Sequence, residues 1–201
     1  MISDLFLPDW MACNGRCDFV HYPSELVAAY GVGIEDQRFL ADLGLPAWAA
    51  PHMHFFCNGG ETLPPPVDSF GSPLLNNHQG LGMVGSNAEG WPVCLDTTRP
   101  GQFVCLPLDP NSPVKLLNSS ARQLGACLLA YCHTVDIALK YGWAHGHDDA
   151  WRKRQYPSKV DTELQDAIRS IDPDAMSSDG YWFWHFLRLD VATDKGSNWD
   201  A

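Results

Sequence analysis

The sequence predicts an α+β protein, a mostly antiparallel sheet packed against helices, on three observations. Three β-rich runs, 81–86, 91–96 and 103–108, follow one another closely. Their connections, Asn87-Ala88-Glu89-Gly90 and Thr97-Thr98-Arg99-Pro100-Gly101-Gln102, are rich in turn residues. A long helical pattern then opens at Ser120. The chain is thus expected to lay down a meander around 81–108 and cover it with a helix. At 201 residues it suits a single domain over 1–201 with one well-buried core.

Taken in order, residues 1–34 read as an arm followed by a short helix over 24–30, with Ser24 as the expected N-cap. Cys13 and Cys17 have the look of half a zinc site, but Cys57 stands alone and no second pair follows, so no metal is expected there. Over 35–43, acids fill the first turn and Phe39, Leu40 and Leu43 form an apolar face, with Gly44 placed to end the helix. The run HMHFFC at 52–57 is a predicted strand. His52 and His54 would then share one face, one or two ligands short of a metal site that needs three or four. Residues 58–80 form a Pro-rich loop with Pro64-Pro65-Pro66, long enough to serve as a contact surface.

Within the meander, Trp91, Val93 and Leu95 alternate with Pro92, Cys94 and Asp96, giving one large apolar face and one smaller, mixed face. Pro100-Gly101 fits a type II turn, since proline fixes φ and glycine accepts the positive φ that follows. The helix over 121–140 begins with a predicted capping box, Ser120 with Gln123. Leu124, Cys127, Leu128, Tyr131 and Val135 repeat at helical spacing, and Gly142 is expected to close the helix. Gly125, unfavourable in a helix by about 1 kcal/mol against Ala, points to a close neighbour.

Residues 143–159 form a polar insert. His145 and His147, with Asp148 and Asp149, lack a ligand spacing tied to a known mechanism. Arg152, Lys153 and Arg154 read as a solvated basic patch. A further helix over 161–171 stops at Asp172-Pro173, and the aromatic run YWFWHFLRL at 181–189 is expected to be buried.

The net charge of −11 is uneven: up to Pro113, three basic residues stand against twelve acids, hence −9. That field disfavours nucleic acid and favours a basic partner. Seven cysteines, an odd number, argue against a disulfide framework, and Cys94, Cys105, Cys127 and Cys132 are expected as buried free thiols. No signal peptide or membrane span is readable in the sequence, so a cytoplasmic protein that binds no membrane is expected. G-x-G-x-x-G, P-loop, G-x-S-x-G and H-E-x-x-H motifs are absent, so neither cofactor nor catalytic residue is expected.

The segments RFLADLGLP (38–46), HMHFF (52–56), LGMVGSNAEG (81–90), PVCLDTTRPGQFVCL (92–106) and LLNSSARQLGACLLAY (116–131) resemble the SUKH superfamily, and more narrowly its fourth subgroup of immunity proteins. A weaker similarity lies near Trp182 and Trp184. The resemblance implies an α+β fold and a non-catalytic protein that binds and neutralises a cognate toxin domain of a bacterial polymorphic or contact-dependent system. It also implies fungal relatives that act as regulatory scaffolds. The acidic balance adds the expectation of a basic toxin, such as a nuclease, met through Glu61, Asp68 and Glu89. A regulatory scaffold is one alternative. A metal- or thiol-dependent hydrolase is the other, and it requires His52, His54, His145 and His147, or a reactive cysteine, in one cleft.

Overall fold

The computed structural model describes residues 18–50, 52–57, 59–60, 62–67, 80–109, 111–147 and 150–193, apart from the side chains of Arg152 and of 188–193. The expected Cys13 and Cys17 motif and the loop acids Glu61 and Asp68 lie outside the described residues. The α+β architecture is as predicted. Its elements are β1 (Phe19–Val20), α1 (Ser24–Ala28), α2 (Ile34–Arg38), β2 (Leu45–Pro46), β3 (Trp48–Ala49), β4 (Met53–Phe55), β5 (Leu81–Ser86), β6 (Pro92–Asp96), β7 (Phe103–Cys105), β8 (Lys115–Asn118), α3 (Ala121–Ala144), α4 (Ala150–Lys153), α5 (Lys159–Ile171) and α6 (Tyr181–Thr193). A π-turn over Phe39–Leu43 continues α2, and a 3-10 turn over Asp174–Met176 precedes α6.

Strands β3 to β8 form a six-stranded antiparallel sheet in sequence order, so each strand pairs with the next along the chain. The predicted meander is present, and across β6 and β7 Leu95 faces Phe103 and Val93 faces Cys105. The turn between them is the expected type II, with Gly101 at φ +76° and the Gln102 amide donating to the Arg99 carbonyl at 3.0 Å. Alternation along β6 sends Val93 and Leu95 into the main core under α3, α5 and α6. Cys94 joins Met83, Val104 and Leu106 in a second cluster on the other face. Val67 packs against that second cluster with Phe56 and Val114, and the Met83 amide donates to the Pro64 carbonyl at 2.8 Å, while Leu63 joins the main core. The smaller face of the meander is therefore buried as well, with Val67 of the predicted Pro-rich loop among its neighbours.

Several local expectations are corrected. Pro23, not Ser24, is the N-cap of α1, which has no side-chain cap. His52 lies outside β4 at φ +63°, in the turn after β3, so it does not share a strand face with His54. The capping box at α3 is half formed. Ser120 Oγ accepts from the Gln123 amide at 3.2 Å, but the Gln123 side chain donates across to the Ile171 carbonyl on α5. Helix α3 also runs past Gly142. It ends in a Schellman arrangement in which the His147 amide donates to the Gly142 carbonyl at 2.8 Å, with Gly146 at φ +76° as the residue past the cap. Gly142 is small for another reason: a Cβ there would lie 2.2 Å from the Ala150 Cβ on α4. The close neighbour expected at Gly125 is the Phe39 ring, 2.6 Å from where a Cβ would stand.

The four expected buried thiols, Cys94, Cys105, Cys127 and Cys132, are free and buried. Among the described residues, no helix is long and apolar enough to cross a membrane.

Candidate partner-binding groove

A single buried carboxylate fixes how the elements around the candidate site meet. Asp172, 1 % exposed at the end of α5, accepts from the Asn118 side chain (3.0 Å), the Ser119 amide (2.7 Å) and the Ser119 hydroxyl (2.9 Å). Its position at the start of α3 also suits the positive end of that helix. Asn118 in turn accepts from the Trp182 indole at 3.2 Å and donates to Cys127 Sγ at 3.3 Å. One network thus ties β8, α3, α5 and α6 together, and every buried group named in it has a partner. Burial, opposed by the Asn118 hydrogen bond, pushes the Cys127 thiol up to about 12.

With Trp182 inserted, α6 divides into two stripes. Tyr181, Trp182 and Phe186 pack into the core, as expected. Phe183, Trp184 and Leu187 are 37 %, 40 % and 42 % exposed, which corrects the expectation that the whole aromatic run is buried. Helical spacing explains the split, since residues two or three positions on from Trp182 or Tyr181 begin a different face. The Trp184 indole donates to the Ser178 carbonyl at 2.7 Å, which fixes its ring at the surface.

Between this helix and the sheet lies a groove of about 320 Å³. Trp91, Pro107 and Pro113 line it from the strand side, Tyr181, Trp184 and His185 from α6, and Lys115 and Glu89 bring opposite charges to it. The Lys115 ammonium stands 4.5 Å from the centre of the Trp184 ring, a cation–π contact. His185 shares a 2.8 Å hydrogen bond with the buried Tyr131 hydroxyl. Burial pushes the Tyr131 and Tyr181 hydroxyls well above the usual tyrosine range, so both remain protonated.

Glu89 is held in place by an Asx turn. Asn87 Oδ1 accepts from the amides of Glu89 (3.1 Å) and Trp91 (2.9 Å), while the Asn87 amide group reaches the Tyr181 hydroxyl at 3.4 Å. Of the three acids the sequence singled out, Glu89 is thus an exposed residue at the groove. Lys115, Trp91, Trp184 and His185 were missed. The one available signal was the pair of complementary stripes in YWFWHFLRL.

The acidic first half is only partly a surface property. Asp36 accepts from the Arg122 amide and guanidinium at 3.0 Å, bracing α2 against the start of α3. Asp96, 6 % exposed, accepts from the Thr98 amide and hydroxyl in the turn after β6. The hydrolase alternative receives no geometric support: among the described residues, no three His, Cys, Asp or Glu side chains come together as metal ligands. Burial raises the Cys94 and Cys105 thiols far above the range in which a thiolate forms. His145 instead stacks on Tyr141 and bonds to its carbonyl at 2.8 Å.

A family model described as SUKH-4 immunity protein matches residues 12–188. The chain belongs to this family. No curated protein and no solved structure matches it. Membership gives the SUKH-4 chain an immunity-protein lineage, and with it the expectation of a toxin as partner.

Proposed function

We propose that this SUKH-4 protein is a cytoplasmic, non-catalytic immunity protein that binds and occludes the cognate toxin domain of a bacterial polymorphic or contact-dependent system. The observation that carries the reading is the groove on α6, where an exposed, positioned Trp184 adjoins Phe183 and Leu187 and Glu89 stands nearby. Positioned aromatic side chains of this kind supply the anchors of protein interfaces, and the acid on the turn favours a toxin with a basic face, as a nuclease has. An ordinary interface covers about 800 Å² per partner, so the groove would be its centre rather than its whole extent.

The test is growth rescue by co-expression with the toxin, followed by calorimetric titration at two salt concentrations. Trp184→Ala is expected to weaken binding by about 2 kcal/mol or more. Glu89→Lys is expected to slow association and flatten its salt dependence. Toxin binding unaltered by both substitutions would place the interface elsewhere, and absence of rescue by the unaltered protein would end the immunity reading.

A further inference from the structure

Lysine is rarely buried without an acidic partner. Lys115 on β8 is 8 % exposed, yet among the described residues its ammonium has no carboxylate within ion-pair distance and no hydrogen-bond acceptor. Its one polar contact is the face of Trp184, and it lines the groove. A cation–π contact gives the ammonium's three N–H donors no acceptor, and because the ammonium reaches the solvent of the groove those donors are met by displaceable water alone. The surrounding walls, Trp91, Pro107, Pro113 and Tyr181, are built to contact an apolar stem. We infer that this groove receives an acidic side chain of the toxin, its carboxylate bonded to Lys115 and its stem held against Trp184 and Trp91.

The inference rests on the immunity reading and deepens it. A protein side chain is favoured over a free metabolite because the groove is continuous with the exposed Phe183, Trp184 and Leu187 stripe, which only a macromolecular partner would cover. Glu89 at the same groove repels an anion in proportion to its charge, so a single carboxylate on an apolar stem is disfavoured least. The toxin is then basic where it faces Glu89 and acidic at one inserted residue. That alternation gives a specificity which a uniformly basic surface would lack.

The probe is an acetylated, amidated phenylalanyl-glutamate dipeptide, titrated beside its glutamine counterpart and beside free phenylacetate, with the Trp indole resonances read by NMR. The glutamate peptide is expected to shift the Trp184 resonance saturably and to bind about ten-fold more tightly than the glutamine peptide, the scale of one charge-assisted hydrogen bond. Lys115→Met should abolish that preference and Lys115→Arg should keep it, with the buried Trp182 indole resonance reporting an intact fold in both. Equal binding of the two peptides, no shift at Trp184, or phenylacetate binding as tightly as the peptide would each overturn the inference. Growth rescue is read separately, so failure of the peptide test leaves the immunity reading standing, whereas failure of rescue removes both.

Discussion

Two buried carboxylates hold helix α5, one at each end, and they are satisfied in opposite ways. Asp172 at its C-terminal end is surrounded by neutral donors from Asn118 and Ser119. Asp161 near its N-terminal end pairs with the Arg154 guanidinium and accepts from the Tyr156 hydroxyl at 3.0 Å. The second arrangement is the more strained. Arg154 takes φ +52°, the position past the end of α4 that glycine usually fills, and its Nη1 is buried without a hydrogen-bond partner. The contrast teaches that neutral donors fixed by backbone and a short side chain can satisfy a buried acid completely. A guanidinium brings stronger charge but more donors than the site can use.

The largest expected effect comes from emptying the satisfied site. Asp172→Ala leaves the donors of Asn118 and Ser119 without their acceptor and should cost about 3–4 kcal/mol in urea unfolding. Trp182 should lose its native near-ultraviolet signal in parallel, because Asn118 would no longer be oriented. If the loss were under about 1 kcal/mol, the network would not be the keystone of the helical layer.

Asp161→Asn should cost less, about 2 kcal/mol, because Arg154 is not fully enclosed and can turn toward water. Here the sharper measurement is a double-mutant cycle with Arg154→Met. A positive coupling is expected, and a double variant as stable as the wild type would show that this ion pair contributes no net stability.

Alkaline pH separates the two sites by a smaller, graded effect. The Cys127 thiol beside Asn118 has a folded pKa raised from 9.0 to about 12, and the Tyr156 hydroxyl at Asp161 is raised from 10.0, in both cases chiefly by burial. A raised folded pKa means the protonated form is favoured by folding. That stability is whole below the unfolded value and is lost as pH rises toward the folded one. Cys127 should therefore remove about 1.4 kcal/mol per pH unit between about 9 and 12, while Tyr156, partly exposed to screening solvent, should add a shallower decline from about 10 upward. Cys127→Ala should flatten the first part of that decline. An unchanged slope would mean the thiol ionises without penalty.

What was legible in the sequence follows the range of the forces involved. The meander was readable because alternation and turn chemistry are local, and Pro100-Gly101 specifies its own backbone. Gly125 was readable as a close approach, though Phe39 could not be named. Gly142 was misread because its smallness answers Ala150, a tertiary neighbour, while the helix stop belongs to Gly146. The groove was mostly hidden. Trp91, Lys115 and Trp184 come from separate elements, and nothing near Lys115 in the sequence marks it as a lysine that folding would enclose.

Because each strand of the sheet pairs with its neighbour in sequence, pairing can advance as the ribosome releases the chain, with little search between distant segments. The groove obeys a different schedule. Its strand wall and Lys115 are made early, but Tyr181, Trp184 and His185 arrive only after all the strands, α3 and α5 have been synthesised. A nascent chain arrested before α6 would thus carry a nearly finished sheet with Asn118 still waiting for Trp182, and no protective surface to offer. On the proposed function, a cell producing toxin and antidote together is guarded by completed molecules alone, so the delay between initiating translation and seating α6 sets the earliest moment of protection.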